Sequence, residues 1–134
     1  MFKFTVIFGL LINSVSFAAT PEINSIFEDF QKSKSQFLSA PISKKDFAKR
    51  FKDLDSSLNS KYGEFKTVEK DELSIEGNQL ALDLELLEPL RNLAAAKIDK
   101  ESCRQAKHLN AMNTTLEEKP QIDTIEKIIA TICK

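Results

Sequence analysis

The strongest constraint on the fold is an apolar pattern that repeats with the period of an α-helix. Between residues 44 and 66 apolar side chains recur every three or four positions and form one narrow stripe: Phe47, Phe51, Leu54, Leu58, Tyr62 and Phe65. Residues 21–40 and 120–132 repeat this period. Because the chain has only 3 Gly and 4 Pro, turn signals are few. The sequence therefore predicts an all-α fold rather than a sandwich of short strands.

Capping signals place the first two helices. Thr20-Pro21-Glu22 is typical of a helix start, because it offers a capping hydroxyl, a proline for the first turn and an acid near the positive end of the helix. Ala40-Pro41 ends this helix, since a residue before proline avoids the helical region. Ser43 and Asp46 have the spacing of a capping box. We expect the second helix to continue to about Phe65.

The segment 71–98 admits two interpretations. Four leucines alternate as they would in a strand: Leu80, Leu82, Leu84 and Leu86. The stretch Glu76–Gln79 would then be a hairpin turn. On a helical wheel, however, the leucines gather on a wide apolar arc, and most residues here are good helix formers. We favour a helix with a kink at Pro89, and the hairpin stays open for residues 71–87.

The chain begins with the three parts of a secretory signal peptide. Lys3 supplies a charged start, an uncharged and mainly apolar run covers residues 4–19, and small residues close it. A membrane span needs about 20 apolar residues, and this run is shorter and interrupted by polar side chains. The sequence predicts a cleaved signal peptide, residues 1–18, before a single helical domain, residues 19–134.

The cleavage site lies at Ala18 or Ala19. A cut after Ala18 places Ser16 and Ala18 in the small pockets of a signal peptidase, whereas a cut after Ala19 would place the bulky Phe17 in one of them. We therefore prefer the first. The mature chain has no further run that could span a membrane, so we expect a periplasmic or secreted protein.

Charge is balanced in number but uneven in position. The chain has 19 basic and 20 acidic side chains and a net charge of −1. This balance argues against nucleic acid or an anionic membrane surface as partner. Basic residues crowd positions 44–52, and acidic residues dominate positions 64–88. We interpret the basic run as a solvated surface, with an anionic partner as the alternative.

Cys103 and Cys133 are the only two cysteines. In an oxidising compartment an isolated pair most simply forms one disulfide, and the absence of a Cys-x-x-Cys motif gives a redox role little support. Helices are predicted for residues 100–113 and from Pro120 onwards. If they form an antiparallel hairpin that turns near Leu116, the cysteines lie opposite each other within one turn. The sequence thus predicts a small antiparallel bundle of four to five helices with a disulfide-closed C-terminal hairpin.

Few residues suggest chemistry. His108 is the only histidine, and Met112 lies one helical turn further on, so the two are weak candidates for holding a copper ion. No third ligand is evident. A catalytic triad would have His108 as its only base, and no serine lies in a Gly-x-Ser-x-Gly motif. We therefore predict no catalytic residues, no metal and no cofactor.

Asp83 is the exception among the acidic residues, because the helical wheel places it inside the apolar arc. A buried carboxylate needs a partner. We predict a buried ion pair of Asp83 with Arg91, and Lys34 and Arg50 are alternative partners.

Six phenylalanines lie on the first two predicted helices: Phe27, Phe30, Phe37, Phe47, Phe51 and Phe65. We interpret them as core. The sequence is best explained by a non-enzymatic binding protein of a bacterial periplasm that acts through a protein partner, as an inhibitor, an immunity protein or a chaperone-like factor. A carrier with an apolar ligand between these phenylalanines and an enzyme of unfamiliar type are the alternatives. The oligomeric state is left open.

Overall fold

A computed structural model describes residues 20–68, 74–113 and 118–134. The predicted signal peptide, residues 1–18, and its cleavage positions Ala18 and Ala19 lie outside the described residues. The elements of the described part are all α-helices: α1 Pro21–Ser39, α2 Lys44–Val68, α3 Ile75–Leu86, α4 Glu88–Ala95, α5 Lys100–Met112 and α6 Lys119–Ile132. The all-α prediction is confirmed. The described residues hold six helices, however, where four to five were predicted.

The additional helix arises at Pro89. The structure has α3 end at Leu86 and α4 begin at Glu88, with Pro89 in the first turn of α4, where a single kinked helix was predicted. Proline lacks the N–H that a helix interior needs, and its ring clashes with the carbonyl four residues earlier. Here the chain ends one helix and begins another, and the new helix packs on α2 and α5. Residues 75–86 are helical, so the hairpin alternative is wrong for them, while residues 71–73 lie outside the described part.

Local signals start and stop the first helices as expected. Thr20 Oγ1 accepts a hydrogen bond from the Ile23 amide at 3.2 Å. Ala40, the residue before Pro41, is extended with φ −83° and ψ 141°. Ser43 Oγ accepts from the Asp46 amide at 3.3 Å and donates to Asp46 Oδ2 at 3.2 Å. α2 continues three residues beyond its predicted end at Phe65 and reaches Val68.

The main contacts join successive neighbours: α1 lies against α2, α2 against α4, α4 against α5, and α5 against α6. α3 contacts α1, α2 and α4, and α6 also contacts α1 and α2. Their apolar faces meet in one core, in which the largest fully buried side chains are Phe30, Phe47, Phe51, Phe65, Leu58, Leu80, Leu86, Leu87, Leu90, Leu93, Ile125 and Ile129. Each such side chain stabilises the fold by roughly 1.5–3 kcal/mol relative to exposure. Within the described ranges, no helix is both long and apolar enough to cross a membrane.

The last two helices form the predicted hairpin. Cys103 in α5 and Cys133 just after α6 are joined by a disulfide with a Cα–Cα distance of 5.9 Å. The bond links the start of one helix to the end of the next, so the helices run antiparallel. Near the turn, Asn110 Nδ2 donates to the Ile122 carbonyl at 3.1 Å. The hairpin is therefore fastened at both ends.

Candidate functional site

A concave surface follows the seam between α5 and α6. One cavity of about 530 Å³ lies on the side of the interhelical turn, and a second of about 460 Å³ lies beside the disulfide. Lys107 lines both. We call the two together the hairpin groove, with a turn half and a disulfide half that meet at Lys107.

The turn half has an apolar floor and a charged rim. Ile122 and Ile129 line it and are only 5% and 1% exposed, while the small side chains of Ala111 and Ala130 lie exposed at its edge. Four charged residues complete the rim: Lys107, Lys119, Asp123 and Glu126. This arrangement suits an amphipathic ligand, because an apolar face is desolvated on the floor while polar groups stay at the edge.

Asn110 is an unusual member of this lining. It is 4% exposed, and its Oδ1 has no hydrogen-bond partner within the described part of the chain. An unsatisfied buried acceptor costs about 1–3 kcal/mol. Sequence analysis did not single out Asn110. The available signal was its position on the buried face of α5, in helical register with Cys103 and Ala106.

The disulfide half is strongly basic. Five cationic side chains line it: Lys44, Lys100, Arg104, Lys107 and Lys134. Asp99 is the one acid among the described residues of this lining, and Ile98 and the two cysteines supply its apolar part. Four of the cations are lysines, and across residues 20–68, 74–113 and 118–134 none of these four forms an ion pair or a side-chain hydrogen bond.

Two charged residues of the disulfide half, Asp99 and Arg104, have partners within or at the start of α5. Asp99 caps the helix, since its Oδ1 accepts from the Ser102 amide at 2.8 Å, and the Ser102 hydrogen bonds hold the pKa of Asp99 below its usual value. Arg104 pairs with Glu101 one turn earlier, and this hydrogen-bonded contact lowers the pKa of Glu101. The Asp99 carboxylate is thus bound to the N-terminus of α5. The four lysines therefore leave an excess of positive charge in the disulfide half.

The structure assigns Asp83 and Arg91 to different ion pairs. Asp83, 0% exposed, lies 2.9 Å from Lys34 Nζ, and Gln31 and Gln79 donate to its carboxylate at 2.7 and 2.9 Å. Lys34 is therefore the partner, in place of Arg91. With both carboxylate oxygens bonded and no exposed surface, Asp83 is a structural group joining α1 to α3.

Arg91 turns towards α2 instead. Its Nε and Nη2 donate to Asp55 at 3.0 and 2.9 Å, and Nη2 also donates to the Leu84 carbonyl at 3.1 Å. The break after Leu86 is the physical reason. Because α4 begins as a new helix that packs on α2, the side chain of Arg91 no longer follows the face on which Asp83 lies.

The weak metal candidates lie on the surface. His108 and Met112 are exposed on α5, and Met112 is 58% exposed. In the described ranges no group of three or more His, Cys, Asp or Glu residues is placed to hold a metal ion.

The phenylalanines fill the space between α1 and α2. The rings of Phe37 and Phe51 meet edge to face at 5.7 Å, and those of Phe47 and Phe51 stack at 6.0 Å. Among the residues that the structure describes, no phenylalanine lines either half of the hairpin groove. A third concavity, of about 570 Å³ between α1 and α6, is likewise without one, and its Gln31 and Lys34 are already bound to Asp83.

Large exposed apolar residues are scarce on the described surface. They are Ile75, 79% exposed on α3, and Met112 on α5. The hairpin groove is thus the feature with most to offer a ligand, since it combines a concave shape, a buried apolar floor and unpaired charges. Comparison of the chain with protein-family models, curated proteins and solved structures gives no match.

Proposed function

We propose that this chain is an exported, non-enzymatic binding protein that docks a segment of a partner protein in the hairpin groove. The observation that carries the proposal is that two cavities along the α5–α6 seam share Lys107, with Ile122 and Ile129 as the floor of one and charged residues along the rims of both. A helix laid in such a groove buries its apolar face and keeps its polar face wet. Ala111 and Ala130 let its backbone approach closely.

The disulfide supports both the compartment and the mode of binding. Disulfides persist in oxidising compartments, which agrees with the predicted signal peptide and with a periplasmic or secreted location. The Cys103–Cys133 bond also fastens the two walls of the groove to each other. A preorganised groove loses little conformational entropy on binding. This favours an inhibitor or immunity protein with one dedicated partner over a chaperone, since promiscuous binders use adaptable surfaces.

Site-specific photo-crosslinking tests the proposal. A photoreactive side chain at Ala130, at the groove edge, is compared with one at Ala81, an exposed alanine of α3, in the organism that encodes the protein. We expect one discrete crosslinked protein from position 130 and none from position 81.

Blocking variants make the result specific to the groove. Ala111→Gln adds bulk at its edge without adding charge, and Ala81→Gln is the matched control. The crosslink from position 130 should disappear with Ala111→Gln and persist with Ala81→Gln. Equal crosslinking from both faces, or a crosslink that Ala111→Gln leaves intact, would contradict docking in the hairpin groove.

A further inference from the structure

We propose that the partner segment is acidic at the end that lies beside the disulfide, where the lysines of the disulfide half bind its carboxylates. This inference rests on the proposed function and adds the chemistry and polarity of the ligand. The lysines concerned are exposed and, in the described residues, unpaired, while the protein as a whole has a net charge of −1. The positive charge is therefore a local property of this part of the groove.

The positions of the cations define a row that a segment can follow. Lys100, Arg104 and Lys107 lie on one face of α5 at helical spacing, which spans about 10 Å along the helix axis. Lys44 and Lys134 line the same cavity from α2 and from the residue after Cys133. Two or three carboxylates on successive turns of a docked segment thus have cationic neighbours. The N-termini of α2 and α5 lie at this end and contribute positive potential, which the C-terminus of α6 beside Cys133 partly offsets.

The excess of positive charge ends along the seam, and this limits what can bind. Beyond Lys107 the rim on the α6 side carries Lys119, Asp123 and Glu126, and Lys119 pairs with Asp123 at 3.4 Å. A long uniform polyanion, such as an acidic glycan or polyphosphate, would find no excess of positive charge there and would meet the carboxylate of Glu126. The apolar residues of the lining, Ile98 and the disulfide, also favour a ligand with apolar groups. A short amphipathic protein segment with acidic residues at one end satisfies all three features.

The loss of excess positive charge along the seam also predicts the register of the segment. From Lys119 to Lys134 the α6 side of the groove is about 22 Å long, enough for roughly four turns of a docked helix. The acidic end occupies the disulfide half. The other end lies opposite the Lys119–Asp123 pair and Glu126, and we expect it to be apolar on its inner face and neutral or basic at its edge.

The test uses the purified exported protein with its disulfide intact and two synthetic helical peptides. Both peptides have the same composition and apolar face; one has three Glu at one end and two Lys at the other, and the second has these charges interleaved. Binding is followed by NMR titration of backbone amide shifts. We expect the segregated peptide to bind about tenfold more tightly, with shifts concentrated at residues 98–107 and at Cys133.

Charge-removing variants identify the cations. Lys44→Gln/Lys100→Gln removes two lysines of the disulfide half, and Lys52→Gln/Lys127→Gln removes two exposed lysines that line neither half. The first pair should weaken binding of the segregated peptide about tenfold and reduce its salt dependence, because exposed charge pairs are screened by salt. The second pair should leave both unchanged.

Three outcomes would overturn the inference. They are equal affinity for the two peptides, equal effects of the two lysine pairs, and tighter binding of polyphosphate or of vesicles with anionic lipids than of the segregated peptide.

Failure of this inference can be distinguished from failure of the proposed function. If position 130 crosslinks a partner and Lys44→Gln/Lys100→Gln leaves that crosslink unchanged, docking in the groove stands and the acidic polarity falls. If the segregated peptide binds as expected but position 130 gives no groove-specific crosslink, the preference of the groove for an acidic segment stands. The proposal that a partner protein docks there then falls.

Discussion

Replacement of Lys34 by methionine tests whether the buried ion pair organises the junction of α1 and α3. Methionine keeps most of the length of the side chain and removes its charge. In the native protein Lys34 Nζ lies 2.9 Å from Asp83 Oδ2, and the two side chains are 8% and 0% exposed. Lys34→Met leaves a buried carboxylate with only the amides of Gln31 and Gln79 as donors.

The expected loss in the free energy of unfolding is about 3–5 kcal/mol, the usual effect of removing one partner from a buried pair. Asp83→Leu should cost less than Lys34→Met, because Lys34 lies at the edge of a surface concavity and its ammonium group can reach water. The double variant Lys34→Met/Asp83→Leu should cost clearly less than the sum of the single changes. It leaves no uncompensated charge, and Gln31 and Gln79 are only half-buried.

Urea unfolding at pH 7, followed by helical circular dichroism because the chain has no Trp, measures the four corners of this double-mutant cycle. The control is the same cycle at Lys49 and Asp53, an ion pair whose side chains are 85% and 71% exposed, where the coupling should stay below about 1 kcal/mol. A loss under about 1 kcal/mol for Lys34→Met, or equal coupling in the two cycles, would refute the structural role of the pair.

Three further predictions concern the cross-link, a cap and the two glycines of the described helices. Cys103→Ser/Cys133→Ser should lower the free energy of unfolding by roughly 3.5–4 kcal/mol, and reductant should bring the native protein to the same urea midpoint; an unchanged midpoint would contradict this. Because hydrogen bonds lower the pKa of Asp99 from 3.8, its charge stabilises the folded state above that pH, and this contribution is lost as the pH falls through the lowered pKa. The melting temperature of Asp99→Asn should thus lie below that of the native protein at neutral pH and converge with it in acid; a constant difference would be against it. Gly63→Ala meets open space and should stabilise by about 0.5–1 kcal/mol, whereas Gly77→Ala should destabilise, since its Cβ would lie 2.9 Å from the capping Ser74 Oγ and 3.1 Å from the buried Phe65 ring; equal urea midpoints for the two variants would refute the distinction.

Most helix starts could be predicted because a capping signal lies within a few residues of the helix. The disulfide could be predicted because the chain has only two cysteines. Thr20 caps α1 with its own hydroxyl, and two cysteines on a predicted hairpin leave one intramolecular pairing. The break at Pro89 was underestimated as a kink. Whether a proline bends a helix or ends it depends on what the following turn packs against, and here α4 packs on α2 and α5.

The candidate site was largely beyond sequence reasoning. Lys44 belongs to a basic run that the sequence analysis interprets as solvated surface. No role was predicted for Lys100 or Lys134. These residues line one cavity only because the α5–α6 hairpin closes beside the N-terminus of α2. Asn110 was missed for a similar reason. Its Oδ1 becomes a buried acceptor without a partner in the described part of the chain only when α6 packs against α5.

The sequence by itself determined the helical class and the residues that face the core, because the period of a helix and the action of a cap involve neighbours within a few positions. Asp83 shows the limit of prediction from sequence. Its place on the apolar face was evident from the sequence, yet the choice of Lys34 over Arg91 required the tertiary structure. That choice depends on how one helix is rotated against another, and rotation is set by the packing of side chains distant in sequence.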